Sequence, residues 1–336
     1  MSEAAIRFLC DANRTVGFGH LSRCLKLARA MRGAPMAFEG RFSAEARERI
    51  AQQGFAIERA STSLQRAVGV VDIMFDRDDM DYYDVDRLSR IRRRFERVIL
   101  LTSARTVPAW LPVDMAVGHV LKRGLHRRRF RTFCGLGYAP VSEEFRAARA
   151  GSNRSRRQPT AIQRVFIGFG ASKSIRGIRS VIDGLSRRRF DGRVDLLLSP
   201  FHQRFEPTLR TLDLPYRLRI HANLGSVAPL LRQADVAFGT YGNITFEALC
   251  LGTPFVAIAV KDFQLAYARH LQARGLIACI GMDREVTGSA VADALATLTP
   301  ARRTSLSRKG RAAVDGRGIE RIRALIGDEA RRLRRH

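Results

Sequence analysis

The chain is poor in lysine and tryptophan, and it lacks a long apolar run. Only five of its 59 basic residues are lysine, and Trp110 is its single tryptophan. No apolar stretch approaches the ~18–20 residues that a membrane-spanning helix needs, so we predict no such helix. Residues 1–5 carry neither the basic segment nor the long apolar segment of a secretory signal, and we predict none.

Cysteine is also scarce, and none of the five cysteines belongs to a Cys-x-x-Cys pair. This spacing disfavours a zinc site or a redox motif, so we expect neither a metal nor a cofactor. Unpaired cysteines within apolar segments are usually reduced and buried, which predicts a cytoplasmic protein. The five are Cys10, Cys24, Cys134, Cys250 and Cys279.

The formal charge of +27 is carried almost entirely by arginine. A GC-rich genome is one explanation of this skew. The functional alternatives are attraction to anionic lipid, to a nucleotide substrate or to nucleic acid. Neither paired Cys/His fingers nor an RNP-like aromatic strand accompanies the charge, so nucleic acid is not an expected partner. The arginine clusters lie at 90–94, 127–131, 154–157 and 331–335.

The first thirty residues predict a strand, a glycine loop and a helix. A short apolar run ends in Asp11, Gly17 and Gly19 lie in the loop, and apolar residues then recur at helical spacing. Glycines allow a ligand close to the backbone, and the free N–H groups of a helix start favour anions. His20, at the helix start, either exchanges a proton near neutral pH or is a polar residue without a chemical role.

A second strand, loop and helix pattern occupies residues 235–254. Gly242 permits close backbone approach, and the predicted helix start at 243–245 could hold a diphosphate. Glu247 either accepts hydrogen bonds from ribose hydroxyls or complements the helix dipole.

Strand-like and helix-like segments alternate through both halves of the chain, and this predicts two doubly wound, Rossmann-like α/β domains. One continuous apolar run, 68–75, is typical of a buried parallel strand and is followed by Asp76. Two such domains facing a central cleft form the architecture called GT-B. We expect an N-terminal domain over 1–150, a polar linker over 151–160, a C-terminal domain over 161–313 and, as in GT-B proteins, a last helix over 314–336 that returns to the N-terminal domain.

These motifs resemble those of a known enzyme family. Residues 11–28, with Asp, Gly-x-Gly-His and Arg-x-Leu-x-Leu-Ala, are similar to the N-terminal signature of the UDP-2,4-diacetamido-2,4,6-trideoxy-β-L-altropyranose hydrolases of pseudaminic-acid synthesis. Related spore-coat polysaccharide proteins share that signature. Residues 235–254 resemble the nucleotide-binding motif of these hydrolases and of GT-B transferases such as the lipid II-forming N-acetylglucosaminyltransferase. Further matches at 134–145 and 313–322 extend the resemblance over nearly the whole chain.

The resemblance implies that the C-terminal domain binds UDP and that His20 activates a water that attacks the anomeric carbon. Asp11 is expected to orient the His20 imidazole or to bind a sugar hydroxyl. The residues expected to contact the substrate are Gly17, Gly19, Arg23, Gly168, Gly170, Ser172, Tyr241, Gly242, Asn243, Ile244, Thr245, Glu247 and Gln264.

The chain departs from the family pattern at three places. Asp76 is followed by Arg77 where the family has an Asp-x-Tyr motif. No aspartate follows Ser172, and Phe263 replaces the asparagine that precedes Gln264 in the family. These departures bear on the sugar rather than on the fold.

We therefore predict a UDP-sugar hydrolase that acts on an amino or deoxy sugar in surface-polysaccharide or nonulosonic-acid synthesis. The first alternative is a GT-B glycosyltransferase with a UDP-sugar donor. Its acceptor could be membrane-linked, because a basic surface suits an anionic membrane. The second alternative is a noncatalytic nucleotide-sugar-binding protein. Whether sugar release requires an acceptor distinguishes the first two.

Overall fold

The computed structural model describes residues 5–13, 16–60, 64–72, 85–103, 107–119, 130–150, 159–170, 172, 174–222 and 224–335. The chain separates into two compact units. Met1–Pro140 and Arg317–His336 form the first unit, and Val141–Gly316 forms the second. Within the described ranges, no helix combines the length and the apolar character needed to cross a bilayer.

The first unit is built on a seven-stranded parallel sheet. In chain order its elements begin with β1 (Ala5–Cys10), α1 (Gly19–Ala30), β2 (Met36–Glu39), α2 (Ala44–Ala51), β3 (Ala56–Ile57), β4 (Leu64–Asp72), α3 (Val85–Arg94), β5 (Phe95–Leu101), β6 (Met115–Gly118) and β7 (Arg131–Cys134). The strand order is β3-β2-β1-β4-β5-β6-β7. Its central strands carry apolar side chains on both faces and are buried, as expected of a parallel sheet covered by helices.

β4 covers the described part of the strand predicted over 68–75. It pairs in parallel with β1, and Asp72 lies level with Cys10 at the end of β1. Residues 73–75 of that prediction, together with Asp76 and Arg77, lie outside the described residues.

The second unit repeats this construction with a six-stranded parallel sheet. Its elements are α4 (Glu143–Ala150), β8 (Arg164–Gly168), α5 (Arg176–Arg187), β9 (Arg193–Leu198), α6 (Glu206–Arg210), β10 (Arg217–Ala222), α7 (Ala228–Gln233), β11 (Val236–Gly239), α8 (Asn243–Leu251), β12 (Phe255–Ala259), α9 (Asp262–Ala273), β13 (Ala278–Met282), α10 (Gly288–Thr297) and α11 (Pro300–Ala313). The strand order is β10-β9-β8-β11-β12-β13. The two sheets confirm the prediction of two doubly wound α/β domains.

The boundary between the compact units differs from the predicted boundary at residue 150. Helix α4 belongs to the second unit because its contacts lie there. Phe145 is buried, and Arg149 Nη1 donates to the carbonyl oxygens of Cys250 at 2.7 Å and Val314 at 3.2 Å. Most of the predicted linker, 151–158, lies outside the described residues.

The last helix, α12 (Gly318–Arg335), belongs to the first unit and packs against α1 and β4. Its Glu329 is only 1% exposed. The Glu329 carboxylate pairs with Arg97 of β5 at 3.3 Å and with Arg131 of β7. Two strands of the sheet are thus tied to one buried acid on this helix.

Candidate active site

The first unit has a strand-order switch point between β1 and β4. From β1 the chain continues to β2 and β3 on one side, and from β4 it continues to β5, β6 and β7 on the other. Ligands of open α/β sheets bind in the crevice at the carboxyl ends of the strands at such a point. Asp11 follows β1, Asp72 ends β4, and His20 and Arg23 lie on the first turns of α1.

His20 and Asp72 form a hydrogen-bonded dyad at this point. His20 Nδ1 lies 2.7 Å from Asp72 Oδ1, and the Asp72 side chain is 1% exposed. Burial by itself raises the pKa of Asp72. The charge of Arg23 and the hydrogen bonds from Arg23 and His20 outweigh it and lower the pKa to about 2. The ionised carboxylate only accepts, so Nδ1 carries the proton and Nε2 presents a lone pair.

Arg23 is held by protein groups. Its Nε and Nη2 donate to the two Asp72 oxygens, each at 2.5 Å, and its Nη1 donates to Ser103 Oγ at 2.8 Å. The residue is 7% exposed. The guanidinium and the Asp72 carboxylate are thus buried together, and the substrate contact of Arg23 stays a prediction.

Asp11 does not contact His20, and the prediction that it orients the imidazole is wrong. Its carboxylate accepts from the Arg41 backbone N–H at 2.9 Å and from Arg87 Nη1 at 2.7 Å. Burial by itself raises the pKa of Asp11, but Arg87 and Arg41 lower it to about 2. Asp11 pairs with Arg41, which follows β2, whereas His20 pairs with Asp72 at the end of β4. A sugar-hydroxyl contact for Asp11 stays a prediction.

Three residues at this edge were missed by the sequence analysis. They are Asp72, Ser103, which follows β5, and His119, which follows β6. Burial lowers the pKa of His119 to about 3, and the charge of Arg23 adds to the effect, so this imidazole is neutral. The available signal was a polar residue at the end of an apolar run. For Asp72 the signal was hidden because the apolar run continues beyond it.

The glycine loop before α1 has the conformation that its sequence suggests. Gly17 has φ +81°, in the left-handed region that favours glycine, and its N–H donates to the Asn13 carbonyl at 2.8 Å. A Cβ placed on Gly19 would meet no described atom within 4 Å, so there is space beside the start of α1. The substrate contacts of Gly17 and Gly19 stay predictions.

The second unit has its own switch point between β8 and β11. Gly168 ends β8, pairs with Gly239 of β11, and is followed by Gly170 at φ +54°. Thr240 Oγ1 donates to the Phe169 carbonyl at 3.4 Å, which joins the two loops at the carboxyl edge of the sheet. Ser172 Oγ accepts from the Ser174 N–H at 3.1 Å, so it shapes the first loop. Ligand contacts of Gly168, Gly170 and Ser172 stay predictions.

The N-terminus of α8 opens at this switch point. A Cβ placed on Gly242 would meet no described atom within 4 Å. The first N–H groups of a helix have no partner within the helix, which leaves those of Asn243 and Ile244 available to an anion. Thr245 is 0% exposed, and its Oγ1 accepts from the Gly242 N–H at 3.2 Å. The Thr245 side chain therefore caps the loop, and the ligand contact predicted for the backbone over 242–245 stays a prediction.

Tyr241 and Gln264 also support this loop from within the protein. The Tyr241 ring packs against Phe246 and Tyr267, with ring centroids 5.7 Å and 5.4 Å away. Gln264 Nε2 donates to the Tyr241 carbonyl at 3.1 Å, and its Oε1 accepts from the Val260 N–H at 3.0 Å. The ligand contacts predicted for Tyr241 and Gln264 stay predictions.

Glu247 stands in the second turn of α8 and is 7% exposed, and its ribose contact stays a prediction. Among the described residues, no group of three or more His, Cys, Asp or Glu side chains is placed to hold a metal ion.

Known proteins resemble the chain in sequence only distantly, and no protein-family model matches it. It is 24% identical over 276 residues to the uncharacterized protein MJ1062 of Methanocaldococcus jannaschii, covering 77% of this chain and 56% of that protein. It is 26% identical over 125 residues to the spore coat polysaccharide biosynthesis protein SpsG of Bacillus subtilis, covering 37% of each. The chain thus spans about half, or less, of the length of these curated relatives.

Solved structures resemble the whole chain. MurG of Acinetobacter baumannii superposes with a TM-score of 0.69 at 13% identity, covering 96% of this chain and 99% of that one. The spinosyn rhamnosyltransferase SpnG, complexed with thymidine diphosphate, gives 0.59 at 13% identity, covering 96% and 99%. Anabaena HepE in complex with UDP gives 0.56 at 13% identity, covering 98% and 100%. The chain has the GT-B fold.

In this GT-B chain each unit places one candidate site at the same topological position, the switch point of its sheet. In the first unit the site consists of His20, Asp72 and the groups around them. In the second it consists of the α8 N-terminus and the loop after β8. Each set comes from segments that are distant in sequence but end at one edge of one sheet.

Proposed function

We propose that the protein is a sugar-transfer enzyme that takes a sugar from a UDP donor and delivers it to an acceptor hydroxyl. The His20–Asp72 dyad carries this proposal, because an imidazole backed by a buried carboxylate suits a general base. The GT-B fold supports it, since the structural neighbours include a rhamnosyltransferase with thymidine diphosphate and a protein with UDP. The likeness to SpsG supports a place in polysaccharide biosynthesis.

The second unit would hold the nucleotide. The backbone N–H groups of Asn243 and Ile244 at the α8 N-terminus suit the diphosphate, because the helix dipole and the unpaired donors both favour an anion. The adjoining Gly168–Ser172 loop lies at the same sheet edge. The ribose would be bound by Glu247, as the sequence resemblance implies.

The first unit would supply the base. His20 Nε2 accepts the proton of the acceptor hydroxyl while that oxygen forms a bond to the anomeric carbon. The bond between the anomeric carbon and the diphosphate oxygen breaks, and UDP leaves with the bonding electron pair. Asp72 stabilises the resulting imidazolium, and the α8 N–H groups stabilise the charge on the departing diphosphate.

Hydrolysis is the second candidate, and one observation favours it. The Asp, Gly-x-Gly-His and Arg-x-Leu-x-Leu-Ala pattern at 11–28 resembles the signature of UDP-sugar hydrolases. A water molecule would then take the place of the acceptor hydroxyl, and His20 Nε2 would accept its proton. The products would be the free sugar and UDP.

The deciding experiment measures UDP release from a panel of UDP-linked amino and deoxy sugars, with and without membrane extract as a source of acceptors. We expect release that requires the extract and falls at least ~100-fold in His20→Ala, while UDP affinity is retained. His221→Ala is the matched control, because His221 forms a similar pair with Asp195 at 2.9 Å in the second unit.

The possible outcomes separate the candidates. Release without any acceptor, lost in His20→Ala, would establish hydrolysis instead of transfer. A wild-type rate in His20→Ala would overturn the assignment of His20 as the base. UDP binding without release from any donor would indicate a nucleotide-sugar-binding protein.

A further inference from the structure

Arg23 connects the dyad to a second strand of the same sheet. Its guanidinium grips both Asp72 oxygens through Nε and Nη2 and reaches Ser103 Oγ with Nη1. Planar guanidinium and carboxylate groups joined by two hydrogen bonds cannot rotate independently. The contact to Ser103 fixes the third nitrogen. The orientation of the Asp72 carboxylate is therefore determined by Arg23 and not by His20 alone.

The hydrogen bonds between Arg23 and Asp72 affect which nitrogen of His20 carries the proton. Asp72 Oδ1 receives Arg23 Nη2 at 2.5 Å and His20 Nδ1 at 2.7 Å, and the two nitrogens are 3.3 Å apart. Arginine only donates, so a deprotonated Nδ1 could accept a hydrogen bond from Arg23. Its lone pair would then also face the lone pairs of the Asp72 oxygen at 2.7 Å, which is unfavourable. A protonated Nδ1 satisfies the oxygen. The carboxylate held by Arg23 thus selects the Nδ1–H form, with the acceptor on Nε2.

Arg23 also balances charge at the dyad. A buried carboxylate alone favours the imidazolium form of a neighbouring histidine, whereas a nearby cation opposes it. Among the described residues, the other titratable groups around the cluster are His119 beyond β6 and the thiols of Cys24 on α1 and Cys10 on β1. His119 is neutral, and burial raises the pKa of Cys24 well above its usual value, so that thiol is protonated. Within this described set, Arg23 is therefore the cation that offsets Asp72.

We propose that Arg23 is a positioning residue that, anchored by Ser103, holds the Asp72 carboxylate so that His20 keeps its proton on Nδ1 and offers Nε2 as the base. The inference rests on the proposed function only for the role of Nε2. The tautomer itself is a property of the protein without substrate, so it can be measured whether or not the protein transfers sugar.

The test is ¹⁵N NMR of histidine side chains in the full chain. The chain has seven histidines, and His20→Ala identifies the signals of His20. We expect the Nδ1–H form in the wild type and a mixture of both forms in Arg23→Gln. Arg23→Lys keeps the charge but not the two parallel hydrogen bonds to Asp72, so it should not restore the single Nδ1–H form.

Two further variants keep this test decisive. Ser103→Ala removes only the hydrogen bond that anchors Arg23, and it should give a smaller change in the His20 tautomer. This variant replaces Arg23→Gln in the test if circular dichroism shows that Arg23→Gln does not fold. Arg29→Gln is the matched control, because Arg29 lies exposed on the same helix and hydrogen-bonds to Gln53, away from Asp72.

An unchanged tautomer of His20 in the folded Arg23 or Ser103 variants would overturn the proposal. A wild type that releases no UDP from any donor but shows these NMR changes would contradict the proposed function and leave the positioning role standing.

Discussion

Asp72 Oδ1 accepts a hydrogen bond from His20 Nδ1 at 2.7 Å across a separation of 52 residues. His20 comes from the start of α1, and Asp72 closes the neighbouring strand β4. The pair is therefore created by the register of two parallel strands. It gives the Gly-x-Gly-His loop a defined chemistry, because the carboxylate decides which imidazole nitrogen can accept a proton.

Replacing Asp72 by asparagine should remove most of the catalytic effect of His20. An amide cannot stabilise the imidazolium as a carboxylate does, and it can support the wrong tautomer, so UDP release should fall roughly 10²- to 10⁴-fold. UDP affinity, measured by calorimetry, should stay near the wild-type value. Asp195→Asn removes the acid of the other His–Asp pair and should leave the rate unchanged. Equal rate losses in both variants would contradict the specific role of Asp72.

Stability should decrease in acid because Asp11 and Asp72 have lowered pKa values. Each has a pKa of about 2 in the folded protein, below the usual 3.8. The stabilisation from each ionised carboxylate is complete at pH values above the pKa of the unfolded chain. It is lost as pH falls from about 5 to 2, and it amounts to roughly 2 kcal/mol per group. Urea unfolding across this range measures it. Asp11→Asn should flatten the slope, whereas exposed Asp262→Asn should not. Identical slopes in the wild type and Asp11→Asn would exclude this source.

Asn243→Pro should weaken nucleotide binding without disrupting α8. Proline is well tolerated as the first residue of a helix, but it removes one N–H donor from the proposed diphosphate site. The extended Gly242 before it, with φ 171°, is compatible with a following proline. We expect UDP to bind about tenfold more weakly, as one charge-assisted hydrogen bond is worth ~1.5 kcal/mol or more.

The control for that change is Ala44→Pro, at the first position of α2 after the Ser43 cap. It places the same residue at the same helical position in the other unit. Calorimetry should show wild-type UDP affinity for Ala44→Pro, and circular dichroism should show intact helices in both variants. Unchanged affinity in Asn243→Pro would argue against the α8 N-terminus as the diphosphate site.

Glu329→Ala should destabilise the first unit. Glu329 is buried and pairs with Arg97, Arg131 and Arg332, and of these Arg97 also lies 3.9 Å from Asp114. Because water reaches the arginines when the acid is removed, we expect a loss of about 1–3 kcal/mol, which urea unfolding would detect. Asp328→Ala, one residue earlier, removes an exposed acid and should change the free energy of unfolding by less than ~1 kcal/mol. Similar losses in the two variants would contradict a special role for Glu329.

Local sequence patterns were enough to predict the strands and helices and one part of each candidate site. The apolar runs predicted buried parallel strands, because both faces of such strands are covered by helices. The Gly17 and Gly19 loop placed His20 at a helix start, and the small-residue loop before Asn243 placed a second helix start. These features depend on residues near each other in the chain, and hydropathy and glycine positions report them directly.

Which side chains pair with one another could be learned only from the order and register of the strands in the sheet. The sequence suggested Asp11 for His20, because the two are close in the chain, but Asp11 pairs with Arg41 and Arg87. The side chains of Gln264 and Thr245 hydrogen-bond to the loop backbone, which the sequence did not indicate. A side chain's partners depend on which strands are neighbours and in which register, and this information is spread over the whole chain.

The sequence by itself determined the two α/β units, the glycine loops and the helix start that carries His20, because these follow from local periodicity and from conformations that glycine permits. Only the tertiary structure decided that Asp72 orients His20, that Arg23 and Ser103 hold Asp72, and that Glu329 of α12 pairs with Arg97 and Arg131. The physical reason is that parallel strands distant in sequence end at one edge of the sheet. A charged group buried there is stable only when it pairs with a group from a neighbouring strand or helix.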